Sequence, residues 1–130
     1  MIASAELQAA IFTALSGNIT GGVYDEAPPG AQPPYTLIGE TTERPWDTHD
    51  SDGSEETIVL HVWSQQKGST ETKTIIAEID ALLHHQTLAL GGSATLVMLR
   101  REFMTVMKDE EIPGELWRHG VVRYRSLISE

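Results

Sequence analysis

Cysteine is missing from this sequence of 130 residues, which excludes disulfides and metal sites built from thiolates. That absence favours a reducing compartment. The opening residues 1–6 also lack the basic segment of a signal peptide, and polar residues interrupt the apolar ones that follow at helical spacing. Because no apolar run is long enough to cross a bilayer, we expect a protein that is made and used in water, without a membrane partner.

Basic residues are scarce in this chain. It has 9 lysines and arginines against 19 aspartates and glutamates, a formal net charge of -10 and a pI near 4.8. Much of the acid lies in residues 40–56 and 109–111. Such a surface repels nucleic-acid phosphates and anionic lipids. DNA that meets this protein is therefore expected to pass it without being gripped.

Motifs of catalysis and of nucleotide binding are also missing. Ser16, Ser64 and Ser69 lie in no Gly-x-Ser-x-Gly context. The glycines match neither the G-x-G-x-x-G pattern nor the Walker pattern, so no phosphate-binding loop is predicted. The sequence therefore predicts no enzymatic activity and no cofactor.

The acidic segment around Asp50 partly matches a calcium-binding loop. Asp50, Asp52 and Gly53 fit the third, fifth and sixth places of an EF-hand. That frame then requires carboxylates at two positions where the chain has Thr48 and Val59. We therefore predict a solvated acidic loop rather than a calcium site.

The histidines match no metal motif by their spacing. His84 and His85 are adjacent near a predicted helix end, so they point to different sides and favour a role as partners of the helix dipole. Asp80 lies four residues before His84, a pair that stabilises a helix end more often than it performs acid–base catalysis. A metal-binding module or enzyme that uses the acidic loop and the histidines stays as an alternative.

Hydrophobic periodicity predicts two helices and four main strands. Apolar residues at three- and four-residue spacing predict one helix over residues 3–15 and a second that opens at residues 68–69 and ends at 84–85. Alternating and β-branched residues predict strands over residues 35–42, 57–64, 94–107 and 117–128. Prolines make residues 25–34 an extended connector.

These elements predict an α+β fold in the order α-β-β-α-β-β. We expect a mostly antiparallel sheet of about four main strands with two helices packed on one face. The strand over residues 57–64 carries large side chains on both sides, so it is predicted to be covered on two sides. A single domain is expected to span residues 1–130.

Residues 43–55 are predicted to form a flexible acidic loop. The segment is a mobile loop or an elongated hairpin tip, because its composition cannot build a packed core. Tryptophan is enriched in interface hot spots, so an exposed Trp46 predicts an anchor that becomes ordered on binding, whereas Trp63 and Trp117 are predicted in the core. The candidate interaction residues in this segment are Arg44, Trp46, Asp47, Asp50 and Asp52.

Two further groups of candidate interaction residues lie in the last third of the chain. Asp109, Glu110 and Glu111 belong to an acidic, proline-bearing loop predicted to join the last two strands. Arg123 and Arg125 lie on one face of the last strand. There they pair with acids of the same chain or make a charged contact to a neighbouring subunit.

The ordered segments resemble the tail-completion, or tail-terminator, family of long-tailed bacteriophages, prophages and gene transfer agents. The resemblance covers almost the whole chain and depends on the order and spacing of the segments together. The long acidic insert at residues 43–55 departs from the expected pattern. The segments that carry the resemblance are residues 7–15, 23–28, 34–35 with 38–40, 57–64, 79–84 with Leu88, and 121–125.

This resemblance implies a structural protein of the virion that is assembled in the bacterial host cytoplasm. Members typically form a hexameric ring on the end of the tail tube, stop its growth and supply the surface that joins the head connector. The implied partners are other copies of the chain, the tail-tube protein and the connector, with DNA passing through the ring. A head-completion or connector protein of the neck is the nearest alternative.

Overall fold

The computed structural model describes residues 1–109 and 115–130, which form two helices and one five-stranded sheet. The helices are α1 (Ser4–Leu15) and α2 (Thr70–Leu83). The strands are β1 (Gly22–Tyr24), β2 (Tyr35–Pro45), β3 (Gly53–Ser64), β4 (Thr95–Asp109) and β5 (Trp117–Ser129). The predicted α+β class is confirmed, and both helices and the four longer strands lie where the periodicity placed them.

The strands lie in the order β1-β2-β3-β5-β4, and the four longer ones pair antiparallel. Strand β1 is parallel to β2, with Val23 opposite Thr36. The predicted order of elements lacked β1, because three residues are too few to show an alternating pattern. The sheet is therefore mixed and has one more strand than expected.

The acidic segment between the first two long strands is a hairpin. β2 and β3 remain paired as far as Arg44 opposite Glu55 and Pro45 opposite Ser54. Residues 46–52 lie between the two strands, and Thr48 and Ser51 form a bridge within them. Of the two predicted alternatives, the structure has the elongated hairpin, because strands β2 and β3 include six of the residues assigned to the loop.

Both helices pack on one face of the sheet, as predicted. α1 packs on β1, β2 and α2, whereas α2 packs on β3, β4 and β5. Their apolar stripes bury the inward side chains of β3 and β5, since burial of apolar surface drives this packing. Neither helix of the described residues is long and apolar enough to cross a membrane. The core includes Leu7, Ile11, Leu15, Ile58, Leu60, Val62, Ile75, Ile79, Leu83, Val122, Tyr124 and Ile128.

The other face of the sheet is open. Val59, His61 and Trp63 alternate with the buried residues of β3 and remain partly exposed. The prediction that this strand is covered on two sides is wrong, because both helices occupy the same face. Large side chains on the second face therefore mark a surface and not a second core layer.

Asp80 of α2 ties the helix to the sheet. The hydroxyl of Tyr124 donates a hydrogen bond to Oδ1 of Asp80 at 2.8 Å, and the guanidinium of Arg101 bonds its other oxygen. Burial and this carboxylate raise the pKa of the Tyr124 hydroxyl. His84 accepts the backbone N–H of Arg101 at Nδ1, 3.0 Å away. Asp80 and His84 therefore both hold β4, rather than pairing with each other as the spacing suggested.

Glu56 is a carboxyl group buried on the helix side of β3, with an exposed fraction of 1%. Its Oε1 accepts a hydrogen bond from the hydroxyl of Ser4 at 2.5 Å, whereas Oε2 has no hydrogen-bond partner among the residues that the structure describes. Burial raises the pKa of Glu56 above its ordinary value of 4.5, and the nearby acids Glu43 and Glu6 act in the same direction. The charged form of Glu56 therefore opposes folding.

Replacing Glu56 by glutamine is expected to stabilise the protein at neutral pH by about 1 kcal/mol. Because the folded protein holds the Glu56 proton more tightly than the unfolded chain, the wild type loses stability as the pH rises from 4.5 through the folded pKa. The gain in unfolding free energy from Glu56→Gln should be present at pH values above the folded pKa of Glu56 and vanish at pH values below 4.5. Urea unfolding at several pH values measures this gain, with Glu26→Gln as the exposed control. An equal gain at pH 4 and pH 8 would contradict the burial argument.

Candidate interaction surface

The open face is formed by the outward side chains of β2, β3, β4 and β5. Register pairs fix its composition, because directly opposed residues of antiparallel strands point to the same side. Tyr35 lies opposite Trp63, which in turn lies opposite His119 of β5. At the other end of these strands, Arg44 lies opposite Glu55. The open face thus has an aromatic half and a charged half.

Five rings form the aromatic cluster, which we define as Tyr24, Tyr35, Trp63, Trp117 and His119. Trp63 and His119 stack with ring centroids 3.9 Å apart and an interplanar angle of 9°. Trp117 meets the rings of Trp63 and Tyr35 edge-on at 5.9 and 6.2 Å, and Tyr24 meets Tyr35 at 6.2 Å. Such cross-strand aromatic pairs stabilise the sheet and leave large apolar surface next to solvent.

His61 extends the aromatic cluster with two polar contacts. Its Nδ1 lies 2.7 Å from Nε2 of His119, and its Nε2 lies 3.1 Å from each carboxylate oxygen of Glu40. A β-bulge after Ile38 brings Glu40 to this position. The hydrogen bond from His61 lowers the pKa of Glu40. The contacts orient both imidazoles.

The charged half of the open face consists of Arg44, Glu55, Glu102, Arg123 and Arg125. Glu55 receives hydrogen bonds from Nε of Arg125 at 3.0 Å and from Arg44 at 3.2 Å. The Arg125 contact is the main cause that lowers the pKa of Glu55. Arg123 donates to Glu102 at 2.8 Å and lies 5.2 Å from the centre of the Phe103 ring. Arg123 and Arg125 therefore pair with acids of the same chain, which is one of the two roles predicted for them.

The hairpin tip is fixed at its base. Trp46 is half-buried against Gly53. The backbone N–H of Trp46 donates a hydrogen bond to the backbone carbonyl of Gly53 at 3.0 Å. Oδ1 of Asp47 accepts the Gly53 N–H at 3.1 Å. The amino group of Met1 lies 3.1 Å from Asp52. Asp50 remains exposed at the tip, so of the three acids it is the one most available to a partner.

The predicted site residues that the structure describes fall into three regions. The structure brings Arg44 and Arg125 together around Glu55, with Arg123 beside them. Asp109 is the last residue of β4 and lies opposite Trp117 in register, at the aromatic end of the sheet. The predicted sites Glu110 and Glu111 lie outside the described residues. Trp46, Asp47, Asp50 and Asp52 lie together at the hairpin tip.

Sequence reasoning missed the aromatic cluster as a surface feature. Trp63 and Trp117 were predicted in the core, yet both are only half-buried on the open face. The available signal was the alternation along β3. It places Trp63 and His61 on one face of the strand and the buried residues Leu60 and Val62 on the other. Across residues 1–109 and 115–130, no three histidine or carboxylate side chains come together as a metal site requires.

The described residues define a small α+β protein with two helices on one face of the sheet and a second face that is open and partly apolar. The family model described as Tail completion protein gp17 matches residues 6–129, and the chain belongs to this family. The predicted family is thereby confirmed, and the protein is a structural component of a bacteriophage-type tail. Comparison with curated proteins finds no match.

A solved structure titled "Virion of native gene transfer agent (GTA) particle" contains a chain with the same fold. Its TM-score against this protein is 0.84, with 98% of both chains covered. Sequence identity is 21%, so this likeness concerns the fold. It shows that the arrangement of two helices on one sheet face is shared across nearly the whole chain.

Proposed function

We propose that this protein forms a six-membered ring that caps the tail tube, stops its growth and joins the tube to the head connector. It acts in the neck region of the virion, after assembly in the cytoplasm of the host. Its partners are other copies of itself, the tail-tube protein and the connector. The proposal rests on family membership over residues 6–129 and on one geometric observation.

That observation is the separation of the two predicted interaction regions. The hairpin tip at residues 46–52 adjoins Gly53, which lies opposite Ser129 at one end of the sheet. Asp109 and Trp117 lie at the other end, beside Ser64 and Arg118. A strand of the length of β3 spans roughly 35 Å at about 3.3 Å per residue. One subunit can therefore contact two partners at once, as a joint between tube and connector requires.

Charge supports the passage of DNA. With a net charge of -10, the protein repels phosphates over most of its surface. The arginines of the charged half form ion pairs with Glu55 and Glu102, which reduces their attraction for phosphates. DNA moving through a ring of these subunits would therefore meet little attraction.

The candidate interaction residues divide between these roles. In this proposal Trp46, Asp47, Asp50 and Asp52 contact one partner at the hairpin end, and Asp109, Glu110 and Glu111 contact the second at the aromatic end. Arg44, Arg123 and Arg125 organise the sheet surface between the two ends.

The experiment polymerises tail-tube protein in the presence of this protein and measures tube lengths and end caps by negative-stain electron microscopy. Light scattering of the mixture gives the mass of the rings. We expect tubes that stop growing and carry a ring of about six subunits at one end. Tubes of unchanged length with bare ends would overturn the capping role.

Two single substitutions test the two-ended arrangement. Asp50→Lys reverses a charge at the hairpin tip, and Glu115→Lys does so at the aromatic end; both positions are exposed. We expect one variant to impair capping and the other to impair binding of the connector, because reversed charges penalise a complementary interface. If both variants behave as wild type in both assays, the division into two ends is wrong. Connector binding without any tube capping would favour the neck-protein alternative.

A further inference from the structure

The two lateral edges of the sheet differ in chemistry. Phe103 and Met107 of edge strand β4 are exposed by 45% and 42%. Arg100 and Lys108 flank them on the same strand, are exposed and have no ion-pair partner among residues 1–109 and 115–130. We call this basic and apolar edge the β4 edge; its backbone groups at Arg101 and Leu99 bond to His84 and His85, which follow α2.

The opposite side carries an apolar groove with acid beside it. The groove has a volume of about 400 Å³ between α1 and β2, and Phe12 on its wall is exposed by 42%. Asp25 also lines it and Glu26 follows; both are exposed and unpaired in the described part of the chain. β2 pairs with β1 only through residues 35–37, so its later residues also have a free edge there. The groove is lined by Ala5, Gln8, Ala9, Phe12, Thr13, Asp25 and Ile38.

We propose that the β4 edge of one subunit docks on the α1–β2 groove of the next, with Phe103 and Met107 against Phe12 and with Arg100 near Asp25 and Glu26. This inference rests on the proposed ring and names the contact that closes it. The occupant is a second copy of this chain, because the apolar groups match and the charges are complementary.

The geometry favours a head-to-tail contact. Outer strands β1 and β4 lie about 19 Å apart at 4.8 Å per strand, on opposite sides of the molecule. A ring with one repeated contact requires such a pair of different surfaces. Two β4 edges placed together would instead bring the cations Arg100 and Lys108 of both copies into one interface. Repulsion between like charges disfavours that symmetric dimer.

Arg123 and Arg125 lie one strand inward from this edge. Glu102 and Glu55 hold their guanidinium groups, and Arg123 also lies over the Phe103 ring. They therefore position the edge side chains, while Arg100, which has no ion-pair partner among the described residues, is exposed toward the neighbouring subunit.

Substitutions test the contact on rings formed by the full chain. Phe103→Asp and Phe12→Asp should each weaken ring assembly more than about tenfold, because each buries a carboxylate in the apolar contact. Ile2→Asp is the matched control, since Ile2 is exposed by 76% and lies outside both surfaces. Light scattering against protein concentration gives the assembly constant, and circular dichroism melts confirm that each variant is folded.

Because the sequence has no cysteine, introduced cysteines can test whether the contact is head-to-tail or symmetric. The double variant Phe12→Cys with Met107→Cys, treated with a short bismaleimide, should give a ladder of covalent multimers up to the ring. Each single-cysteine variant should remain monomeric on the gel. Efficient dimers from Met107→Cys alone would show the symmetric contact and overturn the proposal.

The outcomes separate this inference from the proposed function. Wild-type rings that Phe103→Asp and Phe12→Asp leave intact would overturn the contact and leave ring formation standing. A wild type that never forms rings and never caps tubes would overturn both. Loss of rings in these two variants, with Ile2→Asp unaffected and a ladder from the double cysteine variant, is the result we expect.

Discussion

Replacing Asp80 by alanine will lower the free energy of unfolding by about 3 kcal/mol. The carboxylate of Asp80 accepts the hydroxyl of buried Tyr124 and binds the guanidinium of Arg101. Alanine leaves the Tyr124 hydroxyl buried without its partner and frees Arg101 from α2. Urea unfolding monitored by tryptophan fluorescence measures this loss.

Two variants control for this interpretation. Asp80→Asn keeps an oxygen that can accept the Tyr124 hydroxyl and should cost clearly less than Asp80→Ala. Adding Tyr124→Phe to Asp80→Ala removes the stranded hydroxyl, so the double variant should lose less than the sum of the two single losses. Strict additivity would show that the hydroxyl and the carboxylate do not act as a unit.

Replacing Gly53 by alanine will destabilise the hairpin base by about 2 kcal/mol. A Cβ atom at this position would lie 2.2 Å from the carbonyl oxygen of Trp46 and 3.1 Å from that of Ile128. Both contacts involve backbone, which cannot rotate away as a side chain can. The strand must therefore shift, and the hydrogen bonds of Gly53 to Trp46 and Asp47 are strained.

Gly91→Ala is the matched control for Gly53→Ala. A Cβ atom on Gly91 would come no closer than 3.8 Å to Glu6, so this substitution should change stability by less than about 0.5 kcal/mol. Thermal melts compare the two variants, and Trp46 fluorescence reports on the hairpin base. A Gly53→Ala protein as stable as Gly91→Ala would show that the hairpin base is loosely packed.

The hairpin also shows where sequence reasoning stopped. The composition of residues 43–55 indicated a solvated segment, which is correct for the tip at residues 46–52. It did not reveal that β2 and β3 remain paired as far as Pro45 and Ser54. Polar residues form a strand there because the partner strand supplies the backbone hydrogen bonds, and no local pattern encodes that partner.

The arginines give a second example. Sequence position placed Arg123 and Arg125 on one strand face, which the structure bears out. Their partners Glu55 and Glu102 come from different strands, and Glu102 reaches Arg123 at a β-bulge in β4. Sequence reasoning left the pairing open because these contacts join residues that are 21 and 70 positions apart.

By itself, the sequence determined the helices, the four long strands, the α+β class and the family, because periodicity and the order of segments are written along the chain. The tertiary structure alone decided that both helices cover one face of the sheet. That choice turned Trp63 and Trp117 from expected core residues into part of a surface. The physical reason is that the burial of a side chain depends on which elements pack against each face of the sheet. That packing depends on contacts between residues far apart in sequence.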